Sequence, residues 1–350
     1  MASRFTVVLP DGRIMPWTDL DDTAGLPKDC AYYGALLSAL DAELCEPRFR
    51  FVLTWSTDTL PFSGKDVIVL QVADEWCRWP RYVDDVAAVL KTNGTFPALG
   101  WPGVRASVGL QAMSVLQWIR VTLKTLPGRP RHLRWRLTRM CARTPVIVIP
   151  LGALSPPPTQ AVPWEERTVD VIFLGSIAHG QEGSRRVAGP KEYARRDMLA
   201  AVNDVKLRRP DLKFRLGETG GFVESIASDQ NAYSRAMGNA RVALVPRGTH
   251  LETFRFFEAI GAGAVPIVEP LPRHRYYSSG PHVRLKNWAE LPRIIDYLLP
   301  VEGLHAQGYG QGLHEQCLRA WSSTYAPDAV GRSSAQELTR AFAMQEKRRR

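Results

Sequence analysis

Short runs of consecutive apolar residues, rather than strictly alternating ones, dominate the hydrophobic pattern of the chain. In the first half such runs occupy residues 49–55 (FRFVLTW), 66–72 (DVIVLQV) and 145–150 (PVIVIP). Apolar runs rich in β-branched residues are typical of parallel strands that are covered on both faces. Between the second and third of these runs, the spacing of apolar residues at 82–91 (YVDDVAAVLK) predicts a helix. The pattern therefore predicts an α/β half of the doubly wound kind.

The second half repeats this rhythm after a proline-rich stretch. Residues 154–163 (LSPPPTQAVP) hold four prolines in ten residues, which favours an extended linker. Beyond it the pattern predicts strands at 169–174, 212–216, 241–245 and 264–268, and helices at 191–205, 230–238, 251–261, 313–321 and 334–346. We therefore predict two Rossmann-like domains, residues 1–153 and 164–325, followed by a helix and a basic tail at 326–350.

The segment after the strand predicted at 241–245 carries the densest chemical signal. A turn, PRG at 246–248, is followed by Thr249 and Glu252, whose T-x-x-E spacing is that of a capping box at a helix N-terminus. A glycine turn that leads into a helix exposes backbone N–H groups and the positive end of the helix dipole. Because this combination binds phosphate, Gly248 and Thr249 are predicted to contact a diphosphate.

Two arginines and a glutamate add to this signal. Arg247 lies in the turn and Arg255 in the predicted helix, and a planar guanidinium suits phosphate because it donates two hydrogen bonds at once. Glu258 is three residues after Arg255, on the same helix face, where its carboxylate can accept from a ribose or sugar hydroxyl. The alternative for Arg255 and Glu258 is an ion pair on the surface of an ordinary helix.

These residues resemble the donor domain of exostosin-like glycosyltransferases, in particular the ribitol-xylosyltransferase branch. The resemblance is carried by Pro246, Arg247, Gly248, Glu252, Thr253, Arg255, Glu258, Ala259, Gly263, Pro266, Ile267 and Val268. It implies the GT-B architecture, in which two Rossmann-like domains face each other across a cleft. It also implies a nucleotide-sugar donor, often a UDP sugar, and no bound metal or other cofactor. Our leading hypothesis is transfer of the sugar to an acceptor of a broad class, a glycan or a lipid-linked molecule. The N-terminal half shows no matching motif, so neither the sugar nor the acceptor is predicted.

Further donor contacts are predicted at the start of the second half. Gly175 and Ser176 end the strand predicted at 169–174, and small residues at the carboxyl end of a strand let a phosphate approach closely. Arg195 and Arg196 lie in the helix that follows. They resemble the arginine that follows the glycine turn in exostosin-like chains, with solvated helix charges as the alternative.

The candidate catalytic base lies in the first half. An inverting transferase needs a group that deprotonates the acceptor hydroxyl. Asp74 and Glu75 come directly after the strand predicted at 66–72, where carboxylates would face the interdomain crevice, and Asp58 holds a similar place after the strand at 49–55. A capping or structural role is the alternative for each of them.

The positive charge of the chain is concentrated in one region. No Asp or Glu occurs between residues 86 and 164, and the Lys and Arg residues there equal the whole net charge of +10. Such a field attracts anions, so we predict a peripheral membrane contact through residues 120–143, with a plain solvated surface as the alternative. A nucleic-acid-binding protein is disfavoured because no binding module or stacking motif is present. A catalytically silent GT-B scaffold remains a further alternative.

The remaining features concern compartment and metals. The five dispersed cysteines form no CxxC pair, which argues against a disulfide framework and a zinc site and favours a reducing, cytoplasmic location. No apolar run approaches the ~20 residues that cross a bilayer, and the N-terminus lacks a signal-peptide core. Asp19 and Asp21 form a D-x-D match, but nearby Pro16 and Gly25 predict a loop, and we expect no metal there.

Overall fold

The structure, a computed structural model, describes residues 3–126, 144–175, 188–218, 230–278, 280–301 and 308–349. Its contacts divide the chain into two compact units. The first unit comprises Met1–Pro97, Ile119–Leu154 and Thr324–Arg350, and the second comprises Ala98–Trp118 and Ser155–Ser323. Each unit holds one mainly or wholly parallel sheet, so the predicted α/β class with two Rossmann-like halves is confirmed. Both units are discontinuous in sequence, whereas the predicted domains were continuous stretches of the chain.

The first unit is built on a six-stranded sheet. Its strands are β1 (Phe5–Val8), β2 (Ile14–Pro16), β3 (Arg50–Thr54), β4 (Gly64–Gln71), β5 (Val86–Lys91) and β6 (Val146–Val148). They lie in the order β2-β1-β3-β4-β5-β6, and every neighbouring pair is parallel except β1 with β2. Helix α1 (Cys30–Leu44) belongs to this unit, and helix α2 (Val108–Thr125) follows β5 in the chain.

The helix predicted at 82–91 is wrong. The structure has a 3-10 turn at Val83–Asp85 followed directly by β5, whose six residues are all buried. β5 pairs with β4 along one edge and with β6 along the other, and because all six of its residues are buried, both of its faces are covered as well. An apolar run with this burial has no alternation, and its periodicity does not distinguish a central strand from a buried helix.

A long C-terminal helix, which we number α9 (Pro327–Arg349), packs along α1 in the first unit. Gly331 permits the close approach, since a Cβ there would overlap the Leu36 carbonyl oxygen and lie 2.8 Å from the Ala39 Cβ. The Tyr32 hydroxyl also donates to the Tyr325 carbonyl at 2.6 Å. The end of the chain is thereby part of the first unit.

The second unit is built on a five-stranded, wholly parallel sheet. Its strands are β7 (Val169–Gly175), β8 (Phe214–Glu218), β9 (Ala240–Val245), β10 (Val265–Val268) and β11 (Val283–Arg284), in the order β11-β10-β9-β7-β8. Its helices are α3 (Pro190–Arg208), α4 (Gln230–Gly238), α5 (Phe254–Gly261), α6 (Arg275–Ser278), α7 (Leu291–Leu298) and α8 (Tyr309–Ala320). Apolar side chains of β7, β9 and β10 meet those of α3 and α7 in one core. The predicted helices at 191–205 and 230–238 and the strands at 169–174 and 241–245 are confirmed.

Candidate functional site

The strand order of the second sheet reverses beside β7. The chain passes from β7 to β8 on one side, while β9 pairs with β7 on the other side. In open parallel sheets, ligands bind beyond the carboxyl ends of the strands at such a switch point. The switch point here lies at Gly175, the last residue of β7, and at the segment that follows β9.

Arg255, near the start of α5, reaches the end of β7. Its Nε and Nη2 donate to the Leu174 carbonyl oxygen at 3.0 and 2.6 Å, and its guanidinium lies 4.9 Å from the centre of the Phe173 ring. Gly175 has no side chain to exclude it, since a Cβ there would overlap Arg255 Nη2. The remaining nitrogen, Nη1, is buried and has no hydrogen-bond partner within the described residues. A buried donor in this state is a ready partner for a ligand oxygen.

Arg195, in the second turn of α3, lies over the same aromatic ring. Its guanidinium is 5.8 Å from the Phe173 ring centre, and the residue is 5% exposed. Burial, together with the neighbouring charge of Arg255, lowers the pKa of Arg195 to about 9. Burial and a like charge both disfavour the positive form of an arginine, whereas the carboxylate of Glu192 favours it. Two guanidinium groups therefore converge at the end of β7 over one aromatic ring.

Glu258 is buried one turn further along α5. Its Oε1 accepts from the Ser155 backbone N–H at 3.1 Å, and its Oε2 accepts from the Tyr233 hydroxyl at 2.8 Å. Burial raises the pKa of Tyr233 well above its usual value, and the charge of Glu258 adds to the rise. Tyr233 therefore stays protonated and donates. The two hydrogen bonds hold the Glu258 carboxylate in a fixed position on α5.

Arg247 is 4% exposed and its guanidinium contacts protein groups. Its Nε pairs with Glu269 Oε1 at 3.2 Å, its Nη1 donates to the Ser114 hydroxyl at 3.0 Å, and its Nη2 donates to the Gly100 carbonyl at 2.7 Å. The Arg247 backbone N–H also donates to Glu269. Because β9 and β10 are neighbours, this pair ties the turn after β9 to the residue after β10. The geometry gives Arg247 the task of holding the turn in place.

The predicted capping box at Thr249 and Glu252 is wrong. Helix α5 begins at Phe254 with Thr253 as its N-cap residue, and Thr249 is exposed. Glu252 instead accepts from the Tyr277 hydroxyl at 3.1 Å and lies 3.3 Å from His274 Nε2. Burial raises the pKa of Glu252, but the hydrogen bond and charge of His274 outweigh it and leave the pKa below its usual range. The Glu252 carboxylate therefore binds tertiary partners at α6 instead of capping the N-terminus of a helix.

The other donor contacts predicted from sequence have different surroundings. Gly248 is half-buried in the turn, and His250 is buried near Glu252, on which its charge acts. Arg196 is exposed, with its guanidinium 5.8 Å from the ring centre of Tyr193. Ser176 lies outside the described residues. The structure thus brings Gly175, Arg195 and Arg255 together, and their predicted donor contacts stay predictions.

Asp74, the predicted catalytic base, is enclosed in the first unit. Its carboxylate accepts from Lys91 Nζ at 3.0 Å, from Arg78 Nε at 3.0 Å and from the Arg78 backbone N–H at 2.6 Å. Burial raises the pKa of Asp74, but the charges of Lys91 and Arg78 outweigh it and hold the pKa below its usual value. A carboxylate with a low pKa is a weak proton acceptor, so this arrangement favours the structural alternative for Asp74.

The remaining acidic candidates are exposed. Glu75 follows Asp74 at the surface, and Asp58 pairs with Arg81 at 3.0 Å. Asp19 and Asp21 lie in an exposed turn, where the Asp21 N–H donates to Asp19 Oδ1 at 3.0 Å. Among the residues that the structure describes, no cluster of three or more His, Cys, Asp or Glu could hold a metal ion. Metal-independent chemistry and the identity of the base both stay predictions.

Sequence reasoning assigned no role to Phe173, the ring that Arg195 and Arg255 share. A usable signal was present, since residues i and i+2 of a strand project to the same face and Phe173 precedes Gly175 by two. Much of the basic 120–143 stretch lies outside the described residues. Within the described ranges, no helix combines the length and apolarity that crossing a membrane requires.

Comparisons with known proteins gave structural matches only. No family model matches the chain, and no curated protein sequence matches it, so the exostosin-like membership stays a prediction. A structure of the GtfA/B complex matches with a TM-score of 0.42 and 14% identity, covering 81% of this chain and 58% of that chain. A glycosyltransferase from Rickettsia africae matches with a TM-score of 0.35 and 10% identity, covering 89% of this chain and 82% of that one. A structure of TarM matches with a TM-score of 0.39 and 11% identity, covering 80% of this chain and 55% of that chain.

The chain therefore spans less than two thirds of the length of the GtfA/B and TarM chains that it matches. At these low identities and TM-scores, the likeness carries no argument about the activity of this protein. The functional conclusion rests on the site itself.

Proposed function

We propose that the second unit binds the diphosphate of a nucleotide sugar at the carboxyl end of β7, and that the protein transfers the sugar to a glycan or lipid-linked acceptor. The single observation that carries this proposal is the convergence of Arg195 and Arg255 over the Phe173 ring. Two guanidinium groups side by side, one buried and one half-buried, form a site that suits a dianion because each can donate two hydrogen bonds to it.

The diphosphate is also the group on which charge develops during glycosyl transfer. When the bond between the sugar and the diphosphate breaks, negative charge grows on the leaving oxygen. Cations fixed beside that oxygen before the reaction stabilise the transition state without reorganising. Arg255 is held by its two hydrogen bonds to Leu174, and Arg195 is held on α3, so both are positioned in advance. This arrangement supports a transferase that needs no divalent cation at the diphosphate.

Glu258 and Tyr233 supply the polar groups for the rest of the donor. Their carboxylate and hydroxyl are buried and hydrogen-bonded to each other, so their positions are set. We assign Glu258 to a ribose or sugar hydroxyl, in line with the exostosin-like resemblance of residues 246–268. The same resemblance favours a UDP sugar and the GT-B architecture.

A ligand screen tests the donor site directly. Thermal unfolding with UDP-, GDP- and CMP-sugars is expected to show a rise in Tm for the correct donor, because a ligand of the folded state stabilises it. Calorimetry with that donor is expected to show binding at least about thirtyfold weaker for Arg255→Ala, since truncating one partner of a buried charge pair costs about 2–5 kcal/mol. Arg293→Ala, an exposed arginine on α7, is the matched control. Unchanged donor affinity in Arg255→Ala would reject the proposal.

Turnover separates the transferase from a silent scaffold. The transferase is expected to hydrolyse its nucleotide sugar slowly without an acceptor, and to do so equally in the presence of a chelator. Donor binding without any hydrolysis or transfer would favour the silent scaffold, for which the enclosed Asp74 is the supporting observation. A gel shift across salt concentrations checks the nucleic-acid alternative, which requires steeply salt-dependent binding.

A further inference from the structure

Helix α2 turns its more apolar side toward solvent. Leu116, Ile119 and Leu123 on the helix are 37%, 42% and 58% exposed, and Leu126 immediately after it is 43% exposed. Steps of three and four residues place these four side chains on one face. Val108, at the start of the helix, is 81% exposed and continues the same row.

The buried side of α2 is less apolar than the exposed one. It consists of Leu110, Ser114, Val121 and Thr125, of which two carry hydroxyl groups. Ser114 Oγ donates to the Leu110 carbonyl at 2.7 Å and accepts from Arg247, so its polar group is satisfied inside the second unit. In a surface helix that serves only the core, the apolar stripe faces inward. The reversed pattern of α2 marks its outer face as a surface with another partner.

Basic side chains are exposed on α2, and one acidic side chain lies at the start of the helix, where Asp197 accepts from the Ser107 N–H at 3.1 Å. Arg120 and Lys124 are exposed on α2, and Arg105 is exposed just before it. The sequence holds no Asp or Glu from residue 86 to residue 164. The partner must therefore combine an apolar interior with a negatively charged surface.

We propose that the outer face of α2, residues 116–126, docks on an anionic lipid bilayer. The leucine and isoleucine side chains enter the boundary between head groups and acyl chains, while Arg120, which flanks the row, contacts the anionic head groups. This goes beyond the proposed transfer reaction, since it locates the protein at a membrane surface whatever its acceptor. It also differs from a contact made by the basic stretch alone, because apolar side chains carry a share of the binding.

Vesicle co-sedimentation of the full chain tests this surface. We expect binding to vesicles of phosphatidylcholine with phosphatidylglycerol, and much weaker binding to phosphatidylcholine alone. Leu123→Glu is expected to weaken binding about tenfold or more, since it removes a buried leucine side chain. Arg120→Gln is expected to weaken it about fivefold, the effect of one basic residue near an anionic surface. Leu207→Glu is the matched control, because Leu207 is an 85% exposed leucine on α3.

Three outcomes would overturn the docking proposal. One is the absence of binding to either vesicle, and another is undiminished binding of Leu123→Glu. The third is a change of oligomeric state in Leu123→Glu by light scattering, which would assign the face to contacts between copies. Arg255→Ala is expected to bind vesicles normally and to fail in donor binding, whereas Leu123→Glu is expected to do the reverse. Failure of the docking proposal and failure of the donor site are therefore distinguishable.

Discussion

At the carboxyl end of the first sheet, Asp74 lies between the cations of Lys91 and Arg78, whereas at the carboxyl end of the second sheet Arg195 and Arg255 lie over one ring. Both places follow parallel strands, and both bury charge. In the first, opposite charges meet and the Asp74 pKa falls. In the second, like charges meet and the Arg195 pKa falls.

The difference separates a structural charge cluster from a binding one. A buried ion pair whose hydrogen bonds are all made within the protein has nothing left to offer a ligand, and breaking it costs stability. Cations of like sign that lie side by side repel each other, and a bound anion would reduce that repulsion. The sign of the neighbouring charge, rather than the position at a strand end, therefore decides between the two roles.

The largest expected effect concerns Asp74 and the two cations that contact it, Lys91 and Arg78. Asp74→Ala leaves Lys91 buried without its carboxylate, so the free energy of unfolding is expected to fall by about 3–5 kcal/mol. Urea unfolding measures this loss. Asp66→Ala, which removes the half-exposed Arg50–Asp66 pair, is the control and is expected to cost at most about 1 kcal/mol. Equal losses in the two variants would contradict the distinction drawn here.

A second carboxylate of the first unit, that of Asp29, allows a test through the pH dependence of stability. Asp29 is buried, no cation contributes to its pKa shift, and burial raises its pKa to about 6. Because the folded-state pKa lies above the unfolded value, stability falls as pH rises through the interval from about 4 to about 6. Asp29→Asn is expected to abolish this fall and to raise stability at pH 7 by up to about 3 kcal/mol.

The pKa of Asp74 shifts in the opposite direction from that of Asp29. Unfolding measured as a function of pH checks both shifts. Its folded-state pKa is depressed, so its contribution is complete above the unfolded value and is lost as pH falls through the folded one. Unfolding of the Asp29→Asn variant is therefore expected to retain the loss of stability below about pH 4 that Asp74 contributes. A flat profile between pH 4 and pH 6 in the unmodified protein would contradict the assignment to Asp29.

A smaller effect is expected at the end of β7, where Arg195 and Arg255 meet. Gly175→Ala adds a Cβ that overlaps Arg255 Nη2, so the guanidinium must move away from the end of β7. Donor affinity is expected to fall about tenfold, which corresponds to about 1.4 kcal/mol. Because Arg255 is a flexible side chain, the melting temperature without ligand is expected to change little. Calorimetry and thermal unfolding together separate this displacement from misfolding.

The smallest effect is expected for Arg196→Ala. Arg196 neighbours Arg195 in sequence but is exposed, and a solvated charge contributes little to stability or to a distant ligand. We expect changes below about 0.5 kcal/mol in both the free energy of unfolding and the free energy of donor binding. A large loss of donor affinity would extend the binding cluster to the outer face of α3.

The local elements of the second unit were accessible from sequence. The runs that form β7, β9 and β10 are continuous apolar segments, and the 230–238 helix was predicted with its observed bounds. The misread element, β5, is an apolar run buried on both faces, and its short length carried the information that periodicity lacked. The exposed apolar row of α2 was not predicted, because the prediction for this region rested on its basic residues and not on the spacing of its leucines.

The chain alone determined which segments become strands and helices, and which arginines and carboxylates stand near their ends, because local apolar patterns and turns act over a few residues. Tertiary structure alone decided the partners of those charges. Arg255 faces Arg195 because α5 and α3 both contact the end of β7, Glu252 turns to His274 instead of capping a helix, and Asp74 meets Lys91 because β4 and β5 are neighbours. Which charges balance depends on strand order, and strand order is a property of the whole fold.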